Sequence, residues 1–398
     1  MIEFADRINS MSKSAAVVRK LFGSMTDPEM ISFGGGAPAK EVLPVEKVNE
    51  IASEVFTREG RGVEALQYGP PVGITDLREA VIEHLLAPKN LNASTEEVMI
   101  VAGGLETMNL ICELFINPGD VILVESPTFV HCVEIFEMFQ AKCVGVMMDE
   151  DGMVIEDLER KIIEYKPKML YTIPTFQNPT GKTLSTERRR AVAELGSKYD
   201  ILVLEDDPYR ELRYSGEDLP PIKAFDRTGN TVYANSFSKI FSPGSRLGFV
   251  YASKEIIDKL FDAKTATNSQ TSGIAQVICA EFFKRGYFEE NLALAKEIYR
   301  ERRDALIACI DKYLPEGTKR VFPDGGLFTW VELPGEINTT ELLEEAVKNK
   351  VAYVAGEGFF AGGEGLGKNC MRMSFGNVTP EQIEEGMKRL GKLINSKL

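Results

Sequence analysis

Residues 232–250, VYANSFSKIFSPGSRLGFV, run as an apolar strand, break at Ser-x-Ser-Lys, turn at Pro243-Gly244, pass Arg246 and become a strand again. The connection holds no helix. The strands at 231–239 and 247–253 therefore cannot be parallel neighbours, which need a long crossover. Upstream, similar apolar runs lie at 98–104, 120–129, 141–148, 168–181 and 201–209. Amphipathic segments such as LETMNLICELF and STERRRAVAELGSKY fill most of the gaps. Continuous apolar strands alternating with helices predict an α/β architecture, a parallel sheet covered on both faces.

Downstream the pattern changes. Residues 284–314 carry one long helical periodicity, with Leu306, Cys309, Ile310 and Tyr313 on one face. A shorter helix, the Gly-rich loop AGEGFFAGGEGLG, a strand-like CMRMSFG and a final helix follow. These predict a smaller α+β domain at 291–398. A large domain is expected over 46–290, and residues 1–45, an N-terminal arm, are expected to pack with the tail.

Composition narrows the function. A chain of 398 residues exceeds one simple core. Its net charge of -14 argues against a nucleic-acid surface, which needs a basic face. No apolar window is long enough for a membrane span, and the N-terminus lacks a signal-peptide core. Six cysteines without CxxC spacing read as reduced core residues of a cytoplasmic protein. With His84 and His131 as the only histidines, no metal site is expected.

Ligands of an open parallel sheet collect at the C-terminal edge of its strands. Just past the apolar runs stand Gly103-Gly104-Leu105, Phe129, Asn178, Asp206 with Tyr209, and Ser236 with Lys239; Arg246 follows. A Gly-Gly step opening a helix offers backbone N–H groups to an anion. Ser236 and Arg246 add a hydroxyl and a forked cation, which completes a phosphate pocket. Phe129 offers a flat face, Asp206 a carboxylate for a ring nitrogen, and Asn178 and Tyr209 donors for a ring oxygen. Lys239 carries an amine able to condense with an aldehyde. The molecule that matches this set is pyridoxal 5′-phosphate (PLP).

The segments ISFGGGAPAKEVLP, LQYGPPVGITDLREA, ESPTF, YTIPTFQNPTG, LEDDPYREL, SFSKIFSPGSRLG, PDGGLFTWVELP and MRMSFGN cover nearly the whole chain in order. Together they resemble the fold-type I PLP enzymes of the class I/II aminotransferase family, above all its 2-aminoadipate and kynurenine aminotransferase branch. The resemblance implies a large domain with a mostly parallel seven-stranded sheet between helices, plus a smaller α+β domain. It implies ping-pong transfer from an L-amino acid of 2-aminoadipate, aromatic or branched-chain type to a 2-oxo acid such as 2-oxoglutarate.

By the same resemblance, Lys239 is the Schiff-base lysine and proton carrier. Asp206 partners the ring nitrogen, Asn178 and Tyr209 the ring oxygen, and Phe129 stacks on the ring. Gly103, Gly104, Leu105, Ser236, Ser238 and Arg246 surround the phosphate. Tyr68 reaches the phosphate of a neighbouring subunit, which implies a homodimer. Arg372 grips the substrate carboxylate, with Gly36 and Asn178 beside it. Arg19 is either a solvent-facing helix residue or part of a mobile helix that meets an acidic substrate side chain.

Two positions depart from the family pattern. Gly-Leu-Glu at 104–106 stands where many relatives carry Ser-Gln, and Ala355-Gly356 replaces a frequent Pro-Gly. Two other readings are a β-lyase on the same scaffold and a non-catalytic PLP-binding sensor. A sensor fused to a DNA-binding domain is disfavoured because the chain opens almost directly on the enzyme-like arm.

Overall fold

The computed structural model describes residues 2–5, 7–10, 27–363 and 365–398. Eight strands make the main sheet: β1 Val98–Val101, β2 Val121–Ser126, β3 Lys142–Asp149, β4 Gly152–Met153, β5 Met169–Thr172, β6 Leu202–Asp206, β7 Thr231–Ser236 and β8 Gly248–Tyr251. Their spatial order is β1-β8-β7-β6-β5-β2-β3-β4. From β7 through β6, β5 and β2 to β3 all neighbours are parallel. β8 runs antiparallel to both β7 and β1, as its short connection requires. The two-residue β4 forms a hairpin on the edge of β3, an eighth strand beyond the seven expected.

Every residue of β1, β5, β6, β7 and β8 is buried. A sheet covered on both faces needs apolar side chains in both directions, which is why the sequence shows runs and not alternation. The Gly104–Phe115 helix covers part of it with Met108, Leu110, Ile111 and Cys112.

A second sheet is antiparallel throughout: β9 Lys319–Arg320, β10 Phe328–Glu332, β11 Val354–Ala355 and β12 Cys370–Ser374, in the order β9-β10-β12-β11. The helices Tyr287–Tyr313 and Pro380–Asn395 pack together; the first buries Leu306, Cys309 and Ile310, with Tyr313 at the margin. Ile31–Ser32 pairs in parallel with Val351–Ala352. Phe33 extends that link, donating from its N–H to Ala352 O at 2.8 Å and accepting from Ser374 N at 2.7 Å. The segment leading to Gly34 and Gly36 is thereby fixed to the second sheet. All six cysteines are free thiols. No described helix is long and apolar enough to cross a membrane.

Candidate active site

Two successive carboxylates at the end of β6 part company. Side chains alternate across a strand, so Asp206 and Asp207 point to opposite faces of the sheet. Asp206 Oδ2 accepts from Tyr171 OH at 2.9 Å, and Tyr171 OH in turn accepts from Cys132 Sγ at 3.1 Å. Asp207 pairs with Arg210 and accepts from Tyr233 OH at 3.2 Å. Burial raises the Asp206 carboxyl to about 7, opposed by the Tyr171 hydrogen bond and assisted by the Asp207 charge. Asp206 is a carboxylate awaiting a cation.

Lys239 follows β7 by three residues. Its Nζ donates to Gly36 O at 2.7 Å. Burial pulls the amine down to about 8, and the Arg372 and Arg246 cations push the same way. At neutral pH it is thus much nearer to being a free base than a surface lysine.

Arg372 enters from β12. Nη1 donates to Asn178 Oδ1 at 2.9 Å and Nη2 to Gly34 O at 2.6 Å. The guanidinium lies over the Phe328 ring at 4.3 Å and the Phe359 ring at 5.2 Å. Nε is buried with no partner, and burial lowers the group to about 10. Tyr209 sets its ring edge-on to Phe328 at 5.7 Å, and burial raises its phenol. A buried guanidinium without a carboxylate and with an open donor is a seat for an anion.

The phosphate end is built from loops. Gly103 has φ +87°, and a Cβ there would fall 2.6 Å from Arg246 Nη2, so a side chain would fill the cradle. Gly104 opens the following helix, whose first N–H groups have no partners within it. Ser236 Oγ donates to Ser238 Oγ at 3.0 Å, and Ser238 N–H donates to Ser236 Oγ at 3.3 Å. Arg246, itself at φ +49°, donates from Nη2 to Ala102 O at 3.3 Å. Helix N–H groups, two hydroxyls and a guanidinium fit a phosphate dianion, and Lys239 and Asp206 fit the rest of PLP.

Glu106, one of the departures from the family pattern, has its own role. It accepts from Ala102 N–H, and both its oxygens accept from the fully buried Lys264 Nζ, at 3.0 and 2.9 Å. The backbone of Ala102 is therefore held at its N–H by Glu106 and at its carbonyl by Arg246.

The remaining expected residues make none of the contacts above. Phe129 is half-buried at the start of the Val130–Met138 helix, its ring 5.3 Å from His131 in an edge contact. Leu105 is partly exposed on the first helical turn. Tyr68 is 88% exposed. Arg19 lies outside the described residues. Tyr171, Cys132, Gly34 and the Glu106–Lys264 pair are additions that sequence reasoning missed. Tyr171 is hidden inside an apolar strand, and Lys264 sits in an ordinary amphipathic helix 158 residues from Glu106.

The model of the family "Aminotransferase class I and II" matches residues 28–390. Aromatic-amino-acid aminotransferase 1 of Thermococcus litoralis is 40% identical over 394 residues, 98% of this chain and 94% of that protein. The crystal structure of Pyrococcus horikoshii kynurenine aminotransferase, in complex with PMP, KYN as substrates and KYA as products, superposes with a TM-score of 0.93 at 38% identity. It covers 99% of this chain and 97% of that one. The α-aminoadipate aminotransferase of Thermus thermophilus, complexed with N-(5′-phosphopyridoxyl)-L-leucine, gives 0.89 at 31% identity over 99% and 97%. The chain belongs to the class I and II aminotransferase family and is a PLP-dependent aminotransferase.

Proposed function

We propose that this aminotransferase takes the amino group from an L-amino acid of aromatic or 2-aminoadipate type and passes it to 2-oxoglutarate. The observation that carries this reading is Arg372, a buried guanidinium with an open Nε, between Asn178 and the rings of Phe328 and Phe359. A substrate carboxylate supplies the missing counter-charge, while aromatic walls favour an apolar or planar remainder. The names of the similar enzymes support the same donor classes.

When bound, PLP supplies an aldehyde for amine exchange and a ring that accepts electrons. The residues do the rest. Ser236, Ser238, Arg246 and the backbone at Gly103, Gly104 and Leu105 would hold the phosphate, and Phe129 would cover the ring. Asp206 would keep the ring nitrogen protonated, with the Tyr171 hydrogen bond holding that carboxylate in orientation. Asn178 and Tyr209 would position the ring oxygen. Lys239 Nζ would hold the cofactor at its aldehyde carbon and would take the proton from substrate Cα. Arg372, with Gly36 and Asn178 nearby, fixes the carboxylate so that the Cα–H bond faces Lys239.

A donor panel with 2-oxoglutarate as acceptor tests the reading. Glutamate should form from aromatic amino acids and 2-aminoadipate. If glutamate forms from no donor, the transfer assignment is wrong. In Arg19→Ala, 2-aminoadipate should lose tenfold or more in kcat/KM, in line with one charge-assisted hydrogen bond of about 1.5–3 kcal/mol. Aromatic donors should be unaffected.

We further propose a homodimer in which each Tyr68 completes the partner's phosphate site. Its exposure beside Val63, Leu66 and Ile274, also exposed, supports this: a run of apolar side chains in water is a surface for covering. Sedimentation velocity should give twice the chain mass; a monomer at micromolar concentration excludes the arrangement.

A further inference from the structure

The Gly103-Gly104 cradle is braced by a buried ion pair, Glu106 with Lys264. Gly104 and Leu105 carry no side-chain donor, so this part of the cradle can hold an anion only by backbone N–H groups. A grip of that kind depends on where the backbone lies. Glu106 Oε2 accepts from the Ala102 N–H, and Oε1 from Asn268 Nδ2. Lys264 Nζ reaches both oxygens, at 3.0 and 2.9 Å, and also donates to Asn268 Oδ1 at 3.1 Å. Arg246 Nη2 closes the other side of the turn on Ala102 O at 3.3 Å.

Lys264 is fully buried on the Lys254–Thr267 helix, which packs on Gly104–Phe115. Stability alone gives no reason for such a pair, because apolar side chains of similar volume serve a fold as well or better. Charge gives one. Glu106 stands in the first turn of the Gly104–Phe115 helix, whose N-terminus attracts anions. A bare carboxylate there would compete with a phosphate for the same helix end and repel it. With Lys264 on both oxygens, the carboxylate keeps its bond to Ala102 while its charge is cancelled. Glu113, further along the helix, is engaged separately by Asn109 and Thr267.

We propose that Glu106 and Lys264 are positioning residues for the cofactor phosphate. Glu106 holds the Ala102 N–H, and so the Gly103-Gly104 backbone, where that backbone can donate to the phosphate. Lys264 removes the negative charge that would otherwise stand beside a dianion. Both act through the cradle and not by touching the cofactor. The inference rests on placing the phosphate in this cradle.

Titration of the full chain, stripped of cofactor, with PLP and with pyridoxal tests it. Pyridoxal has the same ring and aldehyde but no phosphate, and absorbance of the bound ring reads both. Two double variants avoid an unpaired buried charge. Glu106→Gln/Lys264→Met keeps an acceptor for Ala102 and should bind PLP nearly as the wild type does. Glu106→Leu/Lys264→Met has no acceptor and should bind PLP at least about tenfold more weakly. Lys264→Met alone leaves Glu106 charged and should also lose at least about tenfold. Pyridoxal affinity should stay the same in all three, which damage to the fold would not allow. Arg246→Gln checks the phosphate's place: PLP should weaken and pyridoxal should not. If Arg246→Gln binds PLP normally, the phosphate lies elsewhere and the proposal falls with that assignment. If Arg246→Gln does weaken PLP, the positioning role alone is overturned by either of two results. One is that Glu106→Leu/Lys264→Met or Lys264→Met binds PLP as tightly as the first double variant. The other is that their losses are the same for pyridoxal.

Discussion

Lys239→Ala should lower turnover by at least about 10⁴-fold, the upper range for one positioned proton-transfer group. The loss has two sources. The variant has no amine to hold the cofactor covalently, and none to take the Cα proton. The phosphate grip does not involve Nζ, since Gly103, Ser236, Ser238 and Arg246 are held by one another and by Ala102. Cofactor should therefore remain bound without being attached. Single-turnover spectroscopy with a good donor, together with cofactor content after gel filtration, separates the two effects. Near-normal turnover with full occupancy would remove Lys239 from the mechanism.

Asp206→Asn is the next largest. Asparagine keeps the size and can still accept from Tyr171, but it carries no charge. An opposite charge within a few ångströms favours an ionised group by about 1–3 pH units. Loss of that support for a protonated ring nitrogen should cost about 10–10³-fold in kcat with little change in KM. The sign follows from the site itself. Without a cation, burial raises Asp206 to about 7; a cation beside it returns the carboxyl to its ionised form at neutral pH. Stopped-flow measurement of the half-reaction reads the step directly. An unchanged kcat in Asp206→Asn would mean that the ring nitrogen is neutral in this enzyme.

The sheet and most of the site were legible in the sequence for a shared reason. Strands buried on both faces must be apolar throughout, so a polar residue just past the run stands out. Asp206, Asn178 and Lys239 are all of this kind. Gly103 was legible because an anion cradle excludes a side chain: a Cβ placed there would fall 2.6 Å from Arg246 Nη2. Residues that act from inside an element were not. Tyr171 lies within β5 among apolar neighbours, where a tyrosine is ordinary core. Lys264 reads as a polar position on an amphipathic helix, and only the packing of that helix on Gly104–Phe115 brings it to Glu106. Tyr68 has the opposite difficulty: its proposed partner is in another chain.

The backbone between Gly34 and Gly36 touches both cations at once, Gly34 O on Arg372 and Gly36 O on Lys239. Gly34 and Arg372 are tied to the same small sheet through Phe33, Ala352 and Ser374, so their contact is internal to one body. The Gly36–Lys239 bond instead crosses from that body to the main sheet. It acts as a strut across a seam. The Arg372–Asn178 bond crosses the same seam, so a shift of one sheet on the other would strain both contacts together. The spacing between the carboxylate grip and the amine is thus set by two contacts that span one seam.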